Sequence, residues 1–199
     1  VVTLVVTDLR GYTSLSERIA PEQLSHFLSQ YFSRMTEVVR KHRGMVNKFI
    51  GDAVMAVFGA PVRDPAHALH AARAALAMQA EFGVLRQSRE GLGGDSMEMG
   101  IAIHTGEVFV GNVGSARRME YTVIGDPVNL AFRLEGLNKD LGTSILTTRE
   151  TLALLGEHAK AEDRGVITVT GRSQPVQVFE LLAVDWGEPT EPRMENRHG

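Results

Sequence analysis

A chain of 199 residues has the length of one domain and can bury most of the apolar surface that its unfolded form exposes. Its net charge of -3 and scattered basic residues argue against a nucleic-acid partner, and the absence of cysteine excludes disulfides and thiolate metal sites. No apolar run approaches the roughly 20 residues that cross a bilayer, and the first residues lack the pattern of a signal peptide. We therefore expect a soluble domain in a reducing, cytoplasmic setting. Its apolar start without an initiator Met predicts an upstream regulatory domain in a longer chain, whose membrane attachment stays open.

The chain opens with a predicted strand and a long helix. Residues 1–7 form a continuous apolar and β-branched run, typical of a strand buried on both faces, and predict a strand that ends at Asp8. Ser14 and Glu17 have the spacing of a capping box, which predicts a helix start. In residues 22–42 apolar side chains recur every three or four positions, which predicts one amphipathic helix.

A hairpin and a second helix follow. Residues 45–50 and 53–58 are strand-like runs separated by Gly51-Asp52, a pair suited to a tight turn, so Asp52 is expected at the hairpin tip. Small and apolar residues keep a helical period through residues 68–82, and a glycine cluster then ends the predicted helix.

Further strands surround one more long helix. Residues 97–105, 107–113 and 120–124 have the composition of strands. Asp126-Pro127 joins a favoured N-cap to the residue favoured at the first helical position, and a leucine stripe from Leu130 to Leu141 then lines the core side. Residues 145–182 alternate short strands with one short helix.

This element order predicts an α+β fold. It fits a ferredoxin-like βαββαβ core with additional C-terminal strands and a helix, in which helices cover one face of a largely antiparallel sheet. We expect one domain over residues 1–184. Residues 185–199 are rich in Pro, Glu and Arg without periodic apolar positions, which predicts a disordered tail.

Two aspartates are candidate metal ligands. Asp8 and Asp52 each follow an apolar strand segment, and in this topology the end of the first strand lies near the adjacent hairpin tip. Carboxylate oxygens suit Mg²⁺ or Mn²⁺, and two such ions can clamp the attacking and leaving oxygens of a phosphoryl displacement. The amides of Gly11, Tyr12 and Thr13 precede a helix and suit nucleotide phosphates. The alternative is that Asp8 caps a turn and Asp52 fills a hairpin position, and the pair alone indicates phosphoryl chemistry without naming the reaction.

Four segments resemble class III adenylate and guanylate cyclase domains, in the order found in that family: VTDLRGYTSLSE, NKFIGDAVMAVFGAP, GIAIHTGEVFVGNVGS and RRMEYTVIGDPVNLAFRLEGLNK. The resemblance spans residues 1 to about 182. It implies a head-to-tail homodimer in which each active site combines metal-binding aspartates of one subunit with base-selecting and transition-state residues of the other. The implied reaction is metal-assisted attack of the ribose 3′-oxygen on the α-phosphate of ATP, which gives 3′,5′-cyclic AMP and pyrophosphate.

The resemblance also implies roles for individual positions. Asp8, Asp52 and the backbone carbonyl of Leu9 resemble the ligands of two Mg²⁺ or Mn²⁺ ions per active site. Lys48 and Thr122 resemble the pair that selects the base. The Lys and Thr combination resembles a subgroup that bicarbonate stimulates, which gives a hypothesis about regulation.

Asn129 and Arg133 resemble the catalytic residues that orient the ribose and stabilise the charge of the transition state. They are four residues apart in one predicted helix and therefore share a face, whereas the leucine stripe uses another. The alternative is an ordinary solvated polar face. All six side-chain positions carry functional residue types, which argues against a degenerate, inactive relative.

The base-selecting pair favours adenine. Lys48 can donate to adenine N1, whereas guanine carries a hydrogen at that atom, and Thr122 can accept from the adenine amine. Three alternatives are kept: a guanylate cyclase, a catalytically silent nucleotide-binding or dimerisation module of a sensor protein, and a polymerase-like palm domain. Lys48 disfavours the first, the complete residue set disfavours the second, and the absence of a basic template channel disfavours the third.

Some positions depart from the family pattern. Glu107 stands where certain relatives place a phosphate-binding Arg, and Thr170 stands where a phosphate-binding Lys is often found. Arg172 could substitute, although a surface charge is the expected role. We expect His104 to be a strand histidine without a catalytic task.

Overall fold

A strand rich in β-branched residues lies near the centre of the fold. The computed structural model describes residues 1–88, 97–169 and 174–185. Within these ranges the strands are β1 (Val2–Arg10), β2 (Met45–Ile50), β3 (Ala53–Phe58), β4 (Glu98–Gly106), β5 (Phe109–Ser115), β6 (Arg118–Ile124), β7 (Ile145–Thr148), β8 (Ala159–Ile167) and β9 (Val176–Val184). The helices are α1 (Tyr12–Ser16), α2 (Pro21–Lys41), α3 (His67–Gln87), α4 (Asp126–Leu141) and α5 (Arg149–Leu155), and Gly156–His158 forms a 3-10 turn.

Four strands of the main sheet form the predicted ferredoxin-like core. The sheet order is β2-β3-β1-β4-β7-β9-β8, and β1 pairs antiparallel with both β3 and β4. In chain order β1, α2, β2, β3, α3 and β4 make the βαββαβ unit. The pair β4–β7 is parallel, and β5 and β6 form a separate two-stranded sheet. The prediction of an α+β fold with a largely antiparallel sheet is confirmed.

Helices cover both faces of this sheet, so the expectation of one covered face is wrong. Val5 of β1 packs in one cluster with Tyr31 of α2 and Met78 of α3. Its neighbour Leu4 lies in a second cluster with Ala131 of α4. Because successive strand residues point to opposite faces, a continuous apolar strand needs a cover on each side, and α4 supplies the second cover.

The first strand is longer than predicted. Pairing between β1 and β3 ends at Thr7, but pairing with β4 continues to Arg10↔Glu98. Asp8 therefore lies inside β1 rather than at its end. By strand alternation its side chain shares the face of Leu4, which is the face that α4 covers.

The first helix begins earlier than predicted. Gly11 has a φ of 84°, in the left-handed region that favours glycine, and α1 starts directly after it. No side-chain hydrogen bond caps α1, and Glu17 follows its last residue. The predicted capping box of Ser14 and Glu17 is therefore wrong, because the glycine turn at the end of β1 already starts the helix.

The remaining elements are found in the predicted order with bounds that differ by up to five residues, and β2 and β3 have identical bounds. Among the described residues, no helix combines the length and apolar character needed to cross a membrane. Thr170, Arg172 and residues 186–199 lie outside the described residues, so the predicted tail stays a prediction.

Candidate active site

Asp8 and Asp52 lie together beside the end of the β1–β3 pairing. Hairpin β2–β3 folds back along β1, and its last pair with that strand is Thr7↔Val54. The backbone N–H of Leu9 donates a hydrogen bond of 3.0 Å to Asp52 Oδ2. Both aspartate side chains keep partial contact with solvent. The convergence expected from the sequence is thus observed.

The carboxylate of Asp52 disfavours the negative charge of Asp8. The pKa of Asp8 is raised to about 6, first by burial, then by the charge of Asp52 and a hydrogen bond between the two side chains. The N–H of Leu9 and the charge of Arg10 act in the opposite direction. Paired carboxylate oxygens under mutual repulsion are suited to a hard divalent cation, which would neutralise both.

A third carboxylate, Glu135 of α4, faces this pair. Burial, followed by the charge of Asp8, raises the pKa of Glu135 to about 7, although Arg10 opposes the shift. Glu135 lies against Gly100 of β4, where a Cβ atom would collide with its carboxylate. Sequence reasoning missed Glu135. Its position in the helix could have indicated it. Glu135 lies four residues after Ala131 and three residues before Asn138, so it shares a helix face with these two buried residues.

The glycine turn borders the carboxylates. Gly11 and Thr13 line a cleft of about 330 Å³ together with Asp8, Glu135 and Lys139. The ring of Tyr12 is close enough for burial and the charge of Asp52 to raise the pKa of its phenol. At the start of a helix the first amides have no acceptor within the helix, so the Tyr12 and Thr13 amides are suited to bind an anion in this cleft.

Lys48 and Thr122 lie on two strands that contact each other at the edge of the main sheet. Lys48 lies on β2, and its ammonium is 3.0 Å from Glu120 of β6. Thr122, also on β6, donates a hydrogen bond of 3.2 Å from its hydroxyl to Asn47 Oδ1. The structure therefore brings the two predicted base-selecting residues to neighbouring positions, although they are far apart in sequence.

Asn129 and Arg133 lie on the outer part of α4. Asn129 is exposed and Arg133 is partly buried, whereas the adjacent Leu130 and Leu134 are buried in the core. Within the described ranges, no hydrogen bond or ion pair joins either residue to Asp8. Within one subunit the predicted side chains therefore lie on different elements: the two aspartates beside the β1–β3 pairing, the base-selecting pair on β2 and β6, and Asn129 and Arg133 on α4.

Residues 1–182 match the family described as the adenylate and guanylate cyclase catalytic domain. The chain belongs to this family. It is 39% identical over 183 residues to adenylate cyclase 1 of Rhizobium meliloti (strain 1021), which covers 92% of this chain and 28% of that protein. It is 36% identical over 185 residues to adenylate cyclase of Anabaena cylindrica, covering 91% of this chain and 36% of that protein. The cyclase domain therefore spans about a third of the length of these curated relatives.

Solved structures of two cyclases resemble the domain closely. The adenylyl cyclase CyaB from P. aeruginosa has a TM-score of 0.85 and 36% identity, with 93% of this chain and 95% of that chain covered. The guanylyl cyclase Cya2 has a TM-score of 0.86 and 35% identity, with 94% of each chain covered. Since adenylyl and guanylyl cyclases match equally well, overall similarity leaves the choice of base to individual residues.

The cyclase domain offers a chemically suitable place for divalent cations. Within residues 1–88, 97–169 and 174–185, no three His, Asp or Glu side chains are grouped closely enough to hold a metal ion by themselves. Mg²⁺ commonly takes only one or two protein carboxylates and completes its shell with water and substrate phosphates. Asp8 and Asp52 meet that requirement.

The carbonyl of Leu9 has a suitable direction for a further ligand. In an antiparallel strand the N–H and C=O of one residue point to the same side. The N–H of Leu9 points to Asp52, so its carbonyl lies on the same side, beyond the last β1–β3 pair at Thr7.

His104 lies in β4, and Glu107 directly follows that strand. The ring of His104 is buried, with Nδ1 2.9 Å from the hydroxyl of Thr148, which agrees with the expected strand histidine. Glu107 is exposed in the link between β4 and β5.

Proposed function

We propose that this domain is an adenylate cyclase. In the reaction, the ribose 3′-oxygen forms a bond to the α-phosphorus of ATP, the bond from that phosphorus to pyrophosphate breaks, and the hydroxyl proton is lost to solvent. The observation that carries the proposal is the convergence of Asp8 and Asp52 beside the Gly11 turn. The two curated relatives described above, both named adenylate cyclases, support it.

Asp8, Asp52 and the Leu9 carbonyl would hold two Mg²⁺ or Mn²⁺ ions. When bound, such ions lower the pKa of a coordinated hydroxyl and stabilise negative charge on phosphate oxygens. The amides of Gly11, Tyr12 and Thr13 would bind the β- and γ-phosphates of the nucleotide.

Asn129 and Arg133 would complete the site of a second subunit. Asn129 would orient the ribose, and the Arg133 guanidinium would stabilise the charge that develops on the transferred phosphate. We propose that these residues act across a head-to-tail homodimer with shared sites, as the resemblance to cyclase domains implies. Exposed apolar side chains on β2 and on the β5–β6 hairpin offer a contact surface for such a partner, namely Phe49, Ile50, Phe109, Met119, Tyr121 and Ile124.

Lys48 and Thr122 would read adenine across the same interface. Lys48 would donate to adenine N1 and Thr122 would accept from the amine. A guanylate cyclase is the second candidate, because Cya2 is as similar in structure as CyaB. A catalytically silent nucleotide-binding module is the third candidate, and it differs from the other two in forming no cyclic product.

The deciding assay uses the purified domain with Mn²⁺ and either ATP or GTP, with cyclic product measured against protein concentration. We expect cyclic AMP, with a rate that rises faster than linearly as dimers form. Predominant cyclic GTP would favour the second candidate. The absence of either product at every concentration would contradict an enzymatic role for this domain.

We also propose that this catalytic domain is part of a longer, regulated protein. The curated relatives are about three times as long as the chain, which leaves room for the upstream regulatory domain that we propose in a signalling protein. We propose a cytoplasmic catalytic domain. We also propose stimulation by bicarbonate, because the Lys48 and Thr122 combination resembles a subgroup that bicarbonate stimulates. An unchanged rate with bicarbonate at constant pH would contradict it.

A further inference from the structure

Asn47 has a fixed orientation between the main sheet and the β5–β6 hairpin. Its Nδ2 donates a hydrogen bond of 3.2 Å to the backbone carbonyl of Tyr121. Because a carbonyl only accepts, this contact settles which end of the amide is the nitrogen. The Oδ1 atom of Asn47 is thereby directed to the hydroxyl of Thr122, at 3.2 Å.

This orientation sets the polarity of Thr122. A hydroxyl has one donor hydrogen and two acceptor lone pairs, and Asn47 Oδ1 can only accept. Thr122 must therefore donate its hydroxyl hydrogen to Asn47 Oδ1. What its oxygen offers to a ligand is an acceptor, which suits the amine of adenine and not the O6 carbonyl of guanine.

Glu120 acts on Lys48 in a parallel way. The ammonium of Lys48 lies 3.0 Å from Glu120 Oε1, and its side chain is still 30% exposed. Exposed ion pairs contribute little to stability, so the consequence of this pair is the placement of a flexible ammonium. An ammonium has three hydrogens, so one can bind Glu120 while another is offered to a ligand as a donor.

A strand irregularity makes both contacts reachable. The β2–β3 register shifts between Val46 and Lys48, so Asn47 is an extra residue of a bulge. In a regular strand neighbouring side chains point to opposite faces. Here Asn47 and Lys48 both contact β6, which is the kind of redirection that a bulge produces.

We propose that Asn47 and Glu120 are positioning residues that fix the base pocket in the donor and acceptor pattern of adenine. Asn47 acts through Thr122, and Glu120 acts through Lys48. The inference rests on the proposed function for the identity of the pocket, but it concerns selectivity between bases rather than turnover.

The test measures binding of α,β-methylene-ATP and α,β-methylene-GTP by calorimetry with Mn²⁺, since these analogues do not need turnover. Asn47→Ala and Glu120→Gln should each reduce the preference for the ATP analogue by about fivefold or more, because the pocket loses its fixed polarity. Gln23→Ala and Glu157→Gln, at exposed positions of α2 and the 3-10 turn, are the matched controls and should leave the preference unchanged.

Double variants separate positioning from general damage. In a Thr122→Val background, Asn47→Ala should have almost no further effect on the preference, since the hydroxyl through which Asn47 acts is absent. Equal weakening of both analogues, an unchanged preference, or additive effects in the double variant would each overturn the inference. Tighter binding of the ATP analogue by Glu120→Gln would also overturn it, because Glu120 would then compete with the base for Lys48.

The proposed function can fail separately. If the domain forms no cyclic product but prefers the ATP analogue, and the variants lose that preference, the cyclase activity is contradicted and the positioning role is supported. If the wild-type domain binds neither analogue, both are contradicted.

Discussion

The backbone N–H of Leu9 donates a hydrogen bond of 3.0 Å to Asp52 Oδ2 and so fastens the hairpin tip to the first strand. This contact lies one residue beyond Asp8 and holds two carboxylates side by side. This arrangement destabilises the ionised form of Asp8, because burial and the charge of Asp52 raise its pKa to about 6.

The stability of the metal-free domain should depend on this pair. The pKa of Asp8 is about 6 in the folded state against about 3.9 in an unfolded chain, so the folded state binds the proton more tightly. The stabilisation of the folded state by this bound proton is fully present below about pH 4 and is lost as the pH rises through 6. In EDTA, Asp8→Asn should therefore melt at a higher temperature than wild type at pH 7, with the difference shrinking towards pH 4.

Adding Mn²⁺ at pH 7 should reverse the order of the two melting temperatures, so that wild type melts at a higher temperature than Asp8→Asn. A ligand that binds only the folded state raises the melting temperature with its concentration. Wild type should gain stability and Asp8→Asn should gain much less, as measured by calorimetry. An equal gain in both proteins would contradict metal binding at Asp8.

How well the sequence predicted the site differs between residues. The hairpin around Asp52 was predicted to its exact bounds, because two apolar runs flank a glycine turn. The position of Asp8 inside β1 could not be predicted, since a run that is apolar on both faces does not show where pairing with each neighbour ends. The face covered by α4 was missed for the same reason, and Glu135 was missed with it.

A shared active site predicts complementation. Asp52→Asn and Arg133→Ala should each be nearly inactive alone, and the mixture should recover activity. Random pairing gives mixed dimers in half of the population, each with one intact site, so about a quarter of wild-type activity is expected. The measurement is cyclic AMP formation after the two chains are mixed, with dimer formation followed by light scattering. Mixed dimers without activity would contradict site sharing.

Lys48→Glu should move selectivity from ATP towards GTP. The carboxylate would accept from the guanine N1 hydrogen and would face the lone pair of adenine N1. We expect kcat/KM for ATP to fall by roughly 100-fold or more, with a smaller change for GTP. Lys160→Glu, an exposed charge reversal on β8, is the control for net charge. A proportional loss with both nucleotides would contradict base selection by Lys48.

The contacts around Asn47 illustrate what a sequence does not disclose. Strand periodicity predicted β2 but would place Asn47 and Lys48 on opposite faces. The bulge between Val46 and Lys48 overrides that alternation, and it depends on pairing with residues that lie later in the chain. Local pattern therefore predicted the strand without its functional distortion.

Gly100 and Gly136 form a matched pair for the packing beneath the site. A Cβ at Gly100 would collide with the Glu135 carboxylate, whereas a Cβ at Gly136, one residue further along α4, would meet nothing within 4 Å. Because the colliding atom is the flexible end of the Glu135 side chain, Gly100→Ala should destabilise the domain only slightly, by about 1 kcal/mol. Gly136→Ala should stabilise it by about 0.4–1 kcal/mol, because alanine restricts the unfolded chain and favours the helix.

A double variant tests the cause of the first effect. In a Glu135→Ala background the space beside Gly100 opens, so Gly100→Ala should lose most of its cost. Denaturant unfolding of the four combinations gives the coupling between the two positions, with circular dichroism as the check on folding. A cost of Gly100→Ala that persists after Glu135 is truncated would show that the strand backbone, rather than the carboxylate above it, requires glycine at this position.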